Sequence, residues 1–252
     1  VHSKKRTRFF KWTGVSAAVI LVLFFIWSPM RFFRNDIRPE FFEIVVDRGQ
    51  KSTLTLPDGS KVWVNSATTV SYSSDYNVND RDVYLSGEAY FEVASGNELP
   101  FVVHAHDLQV TALGTRFNIK AYSEDNTVTT TLVEGKVSTE TGESSQVLYP
   151  YHEALYDKKS GCIKVSEVED RLHVIPWMKD EILFDDDSLE EIAVMLERMY
   201  NVNVVFSCED VKAYSYTGLV RNNSLQNVLE LISSTSPVGY RMTSDTIKFY
   251  VK

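Results

Sequence analysis

The chain has 252 residues, 44% of them hydrophobic and 24% charged, with a formal net charge of −8; that is enough for one large or two modest cores, and too aromatic for a disordered chain. The charge is unevenly placed: of 26 bases and 34 acids, residues 1–38 hold eight bases and one acid, which leaves residues 39–252 at −15. An acidic body of this kind excludes nucleic acid as the expected partner.

Eighteen residues without a charge run from Thr13 to Met30. At about 1.5 Å per residue a helix of that length spans about 27 Å, close to the hydrocarbon thickness of a bilayer. Trp12 and Trp27 sit near its ends, where indole rings favour the interface. Lys4, Lys5, Arg6, Arg8 and Lys11 precede the run, whereas Arg31, Arg34 and Arg38 follow it diluted by Asp36 and Glu40. The positive-inside rule therefore predicts a basic cytoplasmic segment over 1–12, a single transmembrane helix over 13–30 and a stalk outside the cytoplasm over 31–46. A cleaved signal peptide is the alternative, but the apolar run is longer than usual and Trp27-Ser28-Pro29-Met30-Arg31 offers no small-x-small cleavage site.

Over 47–176 the pattern is one of strands separated by turn chemistry, with no run of helical period, which predicts an all-β domain. Thr53–Leu56 and Lys61–Asn65 flank Pro57-Asp58-Gly59-Ser60, a turn in which Pro presets φ and Gly supplies a positive one, so a hairpin is expected. Arg81–Val93, Phe101–Ala105, Leu108–Ala112, Thr115–Tyr122 and Thr127–Val137 continue the series. Over 177–252 the rhythm becomes mixed. A short strand over Glu181–Phe184 leads to Ser188-Leu189-Glu190-Glu191, a capping box, and a helix with Leu189, Ile192, Ala193, Leu196, Met199 and Tyr200 on one face. Strands over Val202–Phe206 and Tyr214–Val220, a second helix capped by Ser224, and a hairpin of Tyr240–Met242 with Ile247–Val251 complete a small α+β domain of order βαββαββ.

The candidate chemistry is sparse. Glu88 and Glu92 in Tyr84–Val93 have the spacing of a helical carboxylate pair, but on a strand four residues separate them by about 13 Å, beyond the roughly 5 to 9.5 Å of glycosidase dyads; a solvated strand face is the expected reading. His104 and His106, at i and i+2, would share one side of a strand as two metal ligands might, yet only Asp107 accompanies them, and polar surface positions are expected. Asp185-Asp186-Asp187 lacks the glycine and terminal Glu of a calcium loop and suits a helix N-terminus. No nucleotide-binding or nucleophile motif is present. No catalytic residue, cofactor or metal is therefore expected. Cys162 and Cys208 are compatible with one bridge or with two free buried thiols.

Several blocks appear together in order: Thr55–Asn65 (TLPDGSKVWVN), Asp82–Val93 (DVYLSGEAYFEV), Pro100–Val103 (PFVV), Leu113–Ile119 (LGTRFNI) and Leu132–Val137 (LVEGKV). They resemble the motif blocks of FecR-family anti-sigma factors. The part from Trp177 onward is similar to the C-terminal domain of Bacteroidetes members, which is like the short signalling domain of secretins and TonB-dependent receptors. The resemblance implies a single-pass protein of the bacterial inner membrane whose periplasmic part contacts the signalling domain of an outer-membrane TonB-dependent transporter. It implies too that a cytoplasmic domain, for which residues 1–12 are too short, acts on an extracytoplasmic-function sigma factor under regulated proteolysis. Two positions depart from the pattern: Pro150-Tyr151-His152-Glu153-Ala154 stands where a Pro-Gly-Glu-Gln-like turn is usual, and Asp180 stands where a Gly commonly follows the Trp. Tyr214 and Tyr216, on a short edge strand, are the candidate partner-binding residues, because aromatic side chains favour interfaces; packing of both over the sheet is the equal alternative. The competing reading is a membrane-anchored periplasmic ligand-binding or assembly module without sigma control.

Overall fold

The computed structural model describes residues 40–142, 144–168, 174–221 and 224–252. The transmembrane helix expected at 13–30 and most of the stalk lie outside the described residues, and among those described no helix is long and apolar enough to cross a membrane. Residues 40–252 form one compact unit.

Thirteen strands precede residue 168 among the described residues: β1 (Phe41–Val46), β2 (Ser52–Thr55), β3 (Lys61–Val64), β4 (Thr68–Ser73), β5 (Asp82–Glu92), β6 (Phe101–Ala105), β7 (Leu108–Ala112), β8 (Arg116–Ala121), β9 (Thr127–Glu134), β10 (Val137–Glu140), β11 (Ser145–Leu148), β12 (His152–Asp157) and β13 (Ile163–Glu167). They make two sheets that share β5. Its first half pairs with β4 and, in parallel, with β6, giving the order β1-β4-β5-β6-β7-β10-β11; its second half pairs with β3 and β8, giving β2-β3-β5-β8-β9-β12-β13. Alternation along β5 buries Val83, Leu85, Ala89 and Phe91 on one face, and both sheets empty their inward side chains into one core around Phe91, Phe101 and Phe117. Each fully buried ring of this kind contributes about 1.5–3 kcal/mol.

Gly87 marks the place where β5 leaves one sheet for the other. Its φ is +119°, and a Cβ there would lie 2.7 Å from Thr68 Cα, so both the turn of the backbone and the approach of β4 require a residue without a side chain. The Pro57–Ser60 turn closes the β2–β3 hairpin as its chemistry demands: Leu56 N donates to Ser60 O at 2.8 Å and Gly59 N to Leu56 O at 2.9 Å. Asp58 then turns inward to the buried Arg81, which donates Nε at 2.9 Å; their side chains are 0% and 1% exposed. Burial pulls the Asp58 carboxyl upward, but the Ser60 hydroxyl and amide and the Arg81 guanidinium outweigh it and hold the carboxyl below the ordinary range.

Three expectations change here. Residues 41–46, read as stalk, are strand β1, paired with β4 from Phe41↔Ser73 to Val46↔Thr68; Ile44 and Val46 belong to the sandwich's alternation, which two leading aromatics disguise. The strand expected over 127–137 is two strands, β9 and β10, because the chain crosses between sheets at Gly135-Lys136. His106 does not share a strand face with His104: it lies in the β6–β7 turn at φ +56°, while His104 stacks on Tyr84 and contacts Asp82 at 2.9 Å.

Beyond a 3-10 turn at Pro176–Lys179 come β14 (Glu181–Ser188), α1 (Leu189–Tyr200), β15 (Asn203–Phe206), β16 (Ser215–Arg221), α2 (Leu225–Thr235), β17 (Val238–Thr243) and β18 (Thr246–Val251). The capping box forms: Ser188 Oγ accepts from Glu191 N at 3.2 Å, and Glu191 Oε2 accepts from Ser188 N at 2.9 Å, worth about 1 kcal/mol or more. Helix α1 buries Leu189, Ile192, Ala193 and Leu196, and α2 buries Val228, Leu229 and Ile232. Strands β14 and β16 form a two-stranded sheet, and β15-β18-β17 a three-stranded one. The expected strand at 181–184 runs on to 188 through a bulge between Phe184 and Asp187, so the three aspartates lie in the strand's irregular end just before the helix cap. This C-terminal layer has its own apolar core, separate from that of the sandwich.

Candidate functional site in the cleft between the sandwich and the C-terminal layer

Because the two apolar cores do not merge, polar groups make the joint between them. Strand β5 carries Glu88 to the outer face of the second sheet, and there its carboxylate accepts from Asn65 Nδ2 at 2.8 Å and from Asn118 Nδ2 at 3.0 Å. Asn118 Oδ1 in turn accepts from Trp177 Nε1 at 3.1 Å. Trp177 is 8% exposed and brings the 3-10 turn down onto the sheet. Glu88 is thus not the solvated strand residue expected of it. Glu92, further along the same face, does face solvent, 3.5 Å from Arg116.

A second set of contacts lies beside the first. Arg198, on α1, stacks its guanidinium 3.8 Å from the Tyr122 ring centroid and donates Nη1 to Glu124 at 3.2 Å and Asp125 at 2.8 Å. Its side chain is 8% exposed, and its carbonyl accepts from Gly49 N at 2.8 Å. Burial raises the Glu124 carboxyl, but its backbone and Ser123 hydrogen bonds and the Arg198 charge bring it below the ordinary range. Burial first, and then Glu88, push the Tyr122 phenol upward, so it stays a neutral donor to Ser66 O at 2.9 Å. Lys51 completes the joint, donating to Trp177 O at 2.9 Å and to Asp180 Oδ1 at 2.8 Å. Asp180 takes φ +56°, the backbone form that explains a glycine as the usual residue there, and adds a carboxylate that reaches Lys51.

Between these contacts is a cleft of about 330 Å³, lined on the sandwich side by Glu88, Asn118, Lys120, Thr131 and Glu153 and on the other by Trp177, Leu183, Met195 and Met199. Burial, with Asp185 second, raises the Glu153 carboxyl.

The two tyrosines named as partner-binding candidates pack against the core of the C-terminal layer. Tyr216 is 8% exposed, belongs to the core of the C-terminal layer and shares a hydrogen bond with Ser236 Oγ at 2.7 Å. Tyr214 lies just before β16, partly buried against the same core. Neither is an exposed docking aromatic. Cys162 and Cys208 are both exposed and unbridged. Among the described residues no three His, Cys, Asp or Glu side chains are grouped to hold a metal ion.

The residues of the joint escaped the reading by pattern. Asn65 and Asn118 carried a signal: each adjoins or sits in an apolar strand, where Asn is disfavoured, so each needs a buried polar partner. Arg198, beside the apolar stripe of α1, showed none.

Comparison with known proteins bears on this arrangement. Residues 42–138 match the family described as FecR protein, and residues 181–249 match FecR, C-terminal. Two crystal structures of a protein from Parabacteroides distasonis proposed to be an anti-sigma factor, at 2.50 and 1.65 Å resolution, are similar to this chain at 31% identity. The TM-scores are 0.78 and 0.77; each alignment covers 84% of this chain and 100% or 99% of the other. No curated protein sequence matches.

Proposed function

Since the chain belongs to the FecR family, we propose that it is a transmembrane anti-sigma regulator. It relays the state of an outer-membrane TonB-dependent transporter to an extracytoplasmic-function sigma factor. The observation that carries this reading is the 31% identity to an anti-sigma factor candidate along the whole length of that structure. In this reading the protein resides in the bacterial inner membrane, held by the apolar run at 13–30, with residues 40–252 in the periplasm.

The joint suits the role. A C-terminal layer with its own core, tied to the sandwich by hydrogen bonds and ion pairs, resembles a transient interface, for which relative motion is the default. A transporter's signalling domain engages the layer through main-chain pairing, for which β16 offers an edge: it pairs only with β14 among the described residues. Tyr216 contributes to the fold of that strand and not to the contact. Release then proceeds by cleavage in the stalk. Because β1 is paired from Phe41, the cut is proposed to fall between Arg31 and Glu40, ahead of the first paired strand.

The test is genetic and biochemical together. Deleting the gene should change transcription from one set of promoters that share a sigma-factor recognition pattern, and residues 40–252 should retain a TonB-dependent transporter from solubilised outer membranes. Unchanged transcription in the deletion strain, with and without the transporter's substrate, overturns the reading.

A further inference from the structure

Strand β1 is held lightly. It is the edge of its sheet, paired with β4 alone among the described residues. Of its side chains only Val46 is buried and Ile44 half-buried, while Phe41, Phe42 and Val45 are exposed. Phe41 meets Tyr84 and Phe42 meets Tyr72 through ring contacts at the surface. A strand that buries so little apolar surface belongs to the low-stability end of a fold, where local opening costs least.

The loop that follows β1 is fastened to the other layer. Gly49 N donates to Arg198 O at 2.8 Å, which satisfies one of the carbonyls that the last turn of α1 leaves without an intrahelical donor. The approach is close: a Cβ on Gly49 would lie 3.4 Å from Asn201 Cβ. Lys51, at the end of the same loop, donates to Trp177 O and to Asp180 Oδ1. The loop's attachment to the sandwich leads back to the same helix. Gln50 O accepts from Ser66 Oγ at 2.9 Å, Ser66 O accepts from Tyr122 Oη, and the Tyr122 ring carries the Arg198 guanidinium. Ala67 N donates to Asp47 O independently of α1, at 3.3 Å, beyond the usual length of such a bond.

We propose that the C-terminal layer is a latch on β1. With α1 seated, the loop is fixed at Gly49 and Lys51 and β1 stays zipped to β4. When the layer is displaced, those fixings and the support that Arg198 gives Tyr122 go together, and β1 peels from the sheet edge. Phe41–Val46 then becomes an extended apolar segment that a protease can hold by main-chain pairing. Hydrolysis there consumes one water per bond and leaves a carboxylate and an amine. The latch thus adds a gated set of peptide bonds beyond the cut proposed above. What displaces the layer rests on the regulator reading; the latch itself does not.

Hydrogen exchange of the full chain, read by mass for each peptide, tests it. Lys51→Met together with Arg198→Met should quicken exchange over Phe41–Val46 at least tenfold and leave β11, the opposite edge of the same sheet, unchanged. Equal quickening of β1 and β11 overturns the proposal, as does an unchanged β1 in a folded variant whose residues 176–180 exchange faster. The converse test closes the latch. Gly49→Cys with Asn201→Cys, in a background of Cys162→Ser and Cys208→Ser, places two Cβ atoms close to the separation a disulfide needs. Its oxidised form should exchange β1 at least tenfold more slowly than its reduced form, and equal rates overturn the proposal even where the methionine variant fails to fold. No transporter enters either experiment, so a failed latch leaves the regulator reading standing, and unchanged transcription in the deletion strain leaves the latch standing.

Discussion

Replacing Gly87 by Ala probes the corner on which the sandwich turns. At φ +119° an L side chain costs about 1–2 kcal/mol in backbone strain. The new methyl would also lie 2.7 Å from both Thr68 Cα and Thr68 Cβ, and backbone on the neighbouring strand cannot rotate away, which adds an overpacking cost of about 1–3 kcal/mol. The sum is about 3 kcal/mol. With a urea dependence of about 2 kcal/mol per molar, the unfolding midpoint should fall by about 1.5 M. Trp63 reports it, since it lies on β3 with its ring 5.6 Å from Tyr90. Gly59→Ala is the control: φ is +88° there but nothing lies within 4 Å of the added carbon, so strain alone applies and the midpoint should move by about half as much. Equal shifts for the two variants would refute the argument that contact with β4, and not φ alone, imposes glycine at position 87.

Asp58→Asn leaves Arg81 charged and 1% exposed, so it should cost about 3–5 kcal/mol. The folded Asp58 carboxyl ionises below the unfolded value of about 3.9. Its contribution is therefore complete above that pH and is lost as pH falls through the folded value, and the decline of the urea midpoint below about pH 4 should be shallower in the variant than in the native chain. Trp177→Phe removes the donor to Asn118 Oδ1 and should cost the joint about 1–3 kcal/mol; hydrogen exchange at residues 176–180 should quicken while the sandwich core is unchanged, and uniform quickening would count against a local joint. Tyr216→Phe should cost about 1 kcal/mol through Ser236, whereas Tyr216→Lys should melt the C-terminal helices by circular dichroism, because it places an amine in a core. A folded Tyr216→Lys variant would restore the tyrosine to the surface role its sequence suggests.

Local chemistry was readable wherever a short stretch settles its own conformation. The Pro57–Ser60 turn, the Ser188–Glu191 box, the stripe of α1 and the alternation of β5 each depend on neighbours within a few residues. Phe41–Val46 was not readable as a strand, because its pairing partner, Thr68–Ser73, is remote in sequence and its own exposed phenylalanines break the alternation. Tyr216 misled for the reverse reason: an aromatic on a short strand is favoured at interfaces, and only the core it shares with Val228, Ile232 and Phe249 decides that this one is inside.

The sequence by itself determined the acidic body with its basic and apolar beginning, the β series followed by βαββαββ, and the blocks that mark the family, since these follow from composition, period and turn residues. Tertiary structure alone decided what Glu88 is for. Spacing along a strand separates it from Glu92, but nothing along the chain brings it to Asn65, Asn118 and, through Asn118, to Trp177, residues 23, 30 and 89 positions away. A carboxylate's surroundings depend on which strands lie beside it and which layer covers it, and those are properties of the folded arrangement.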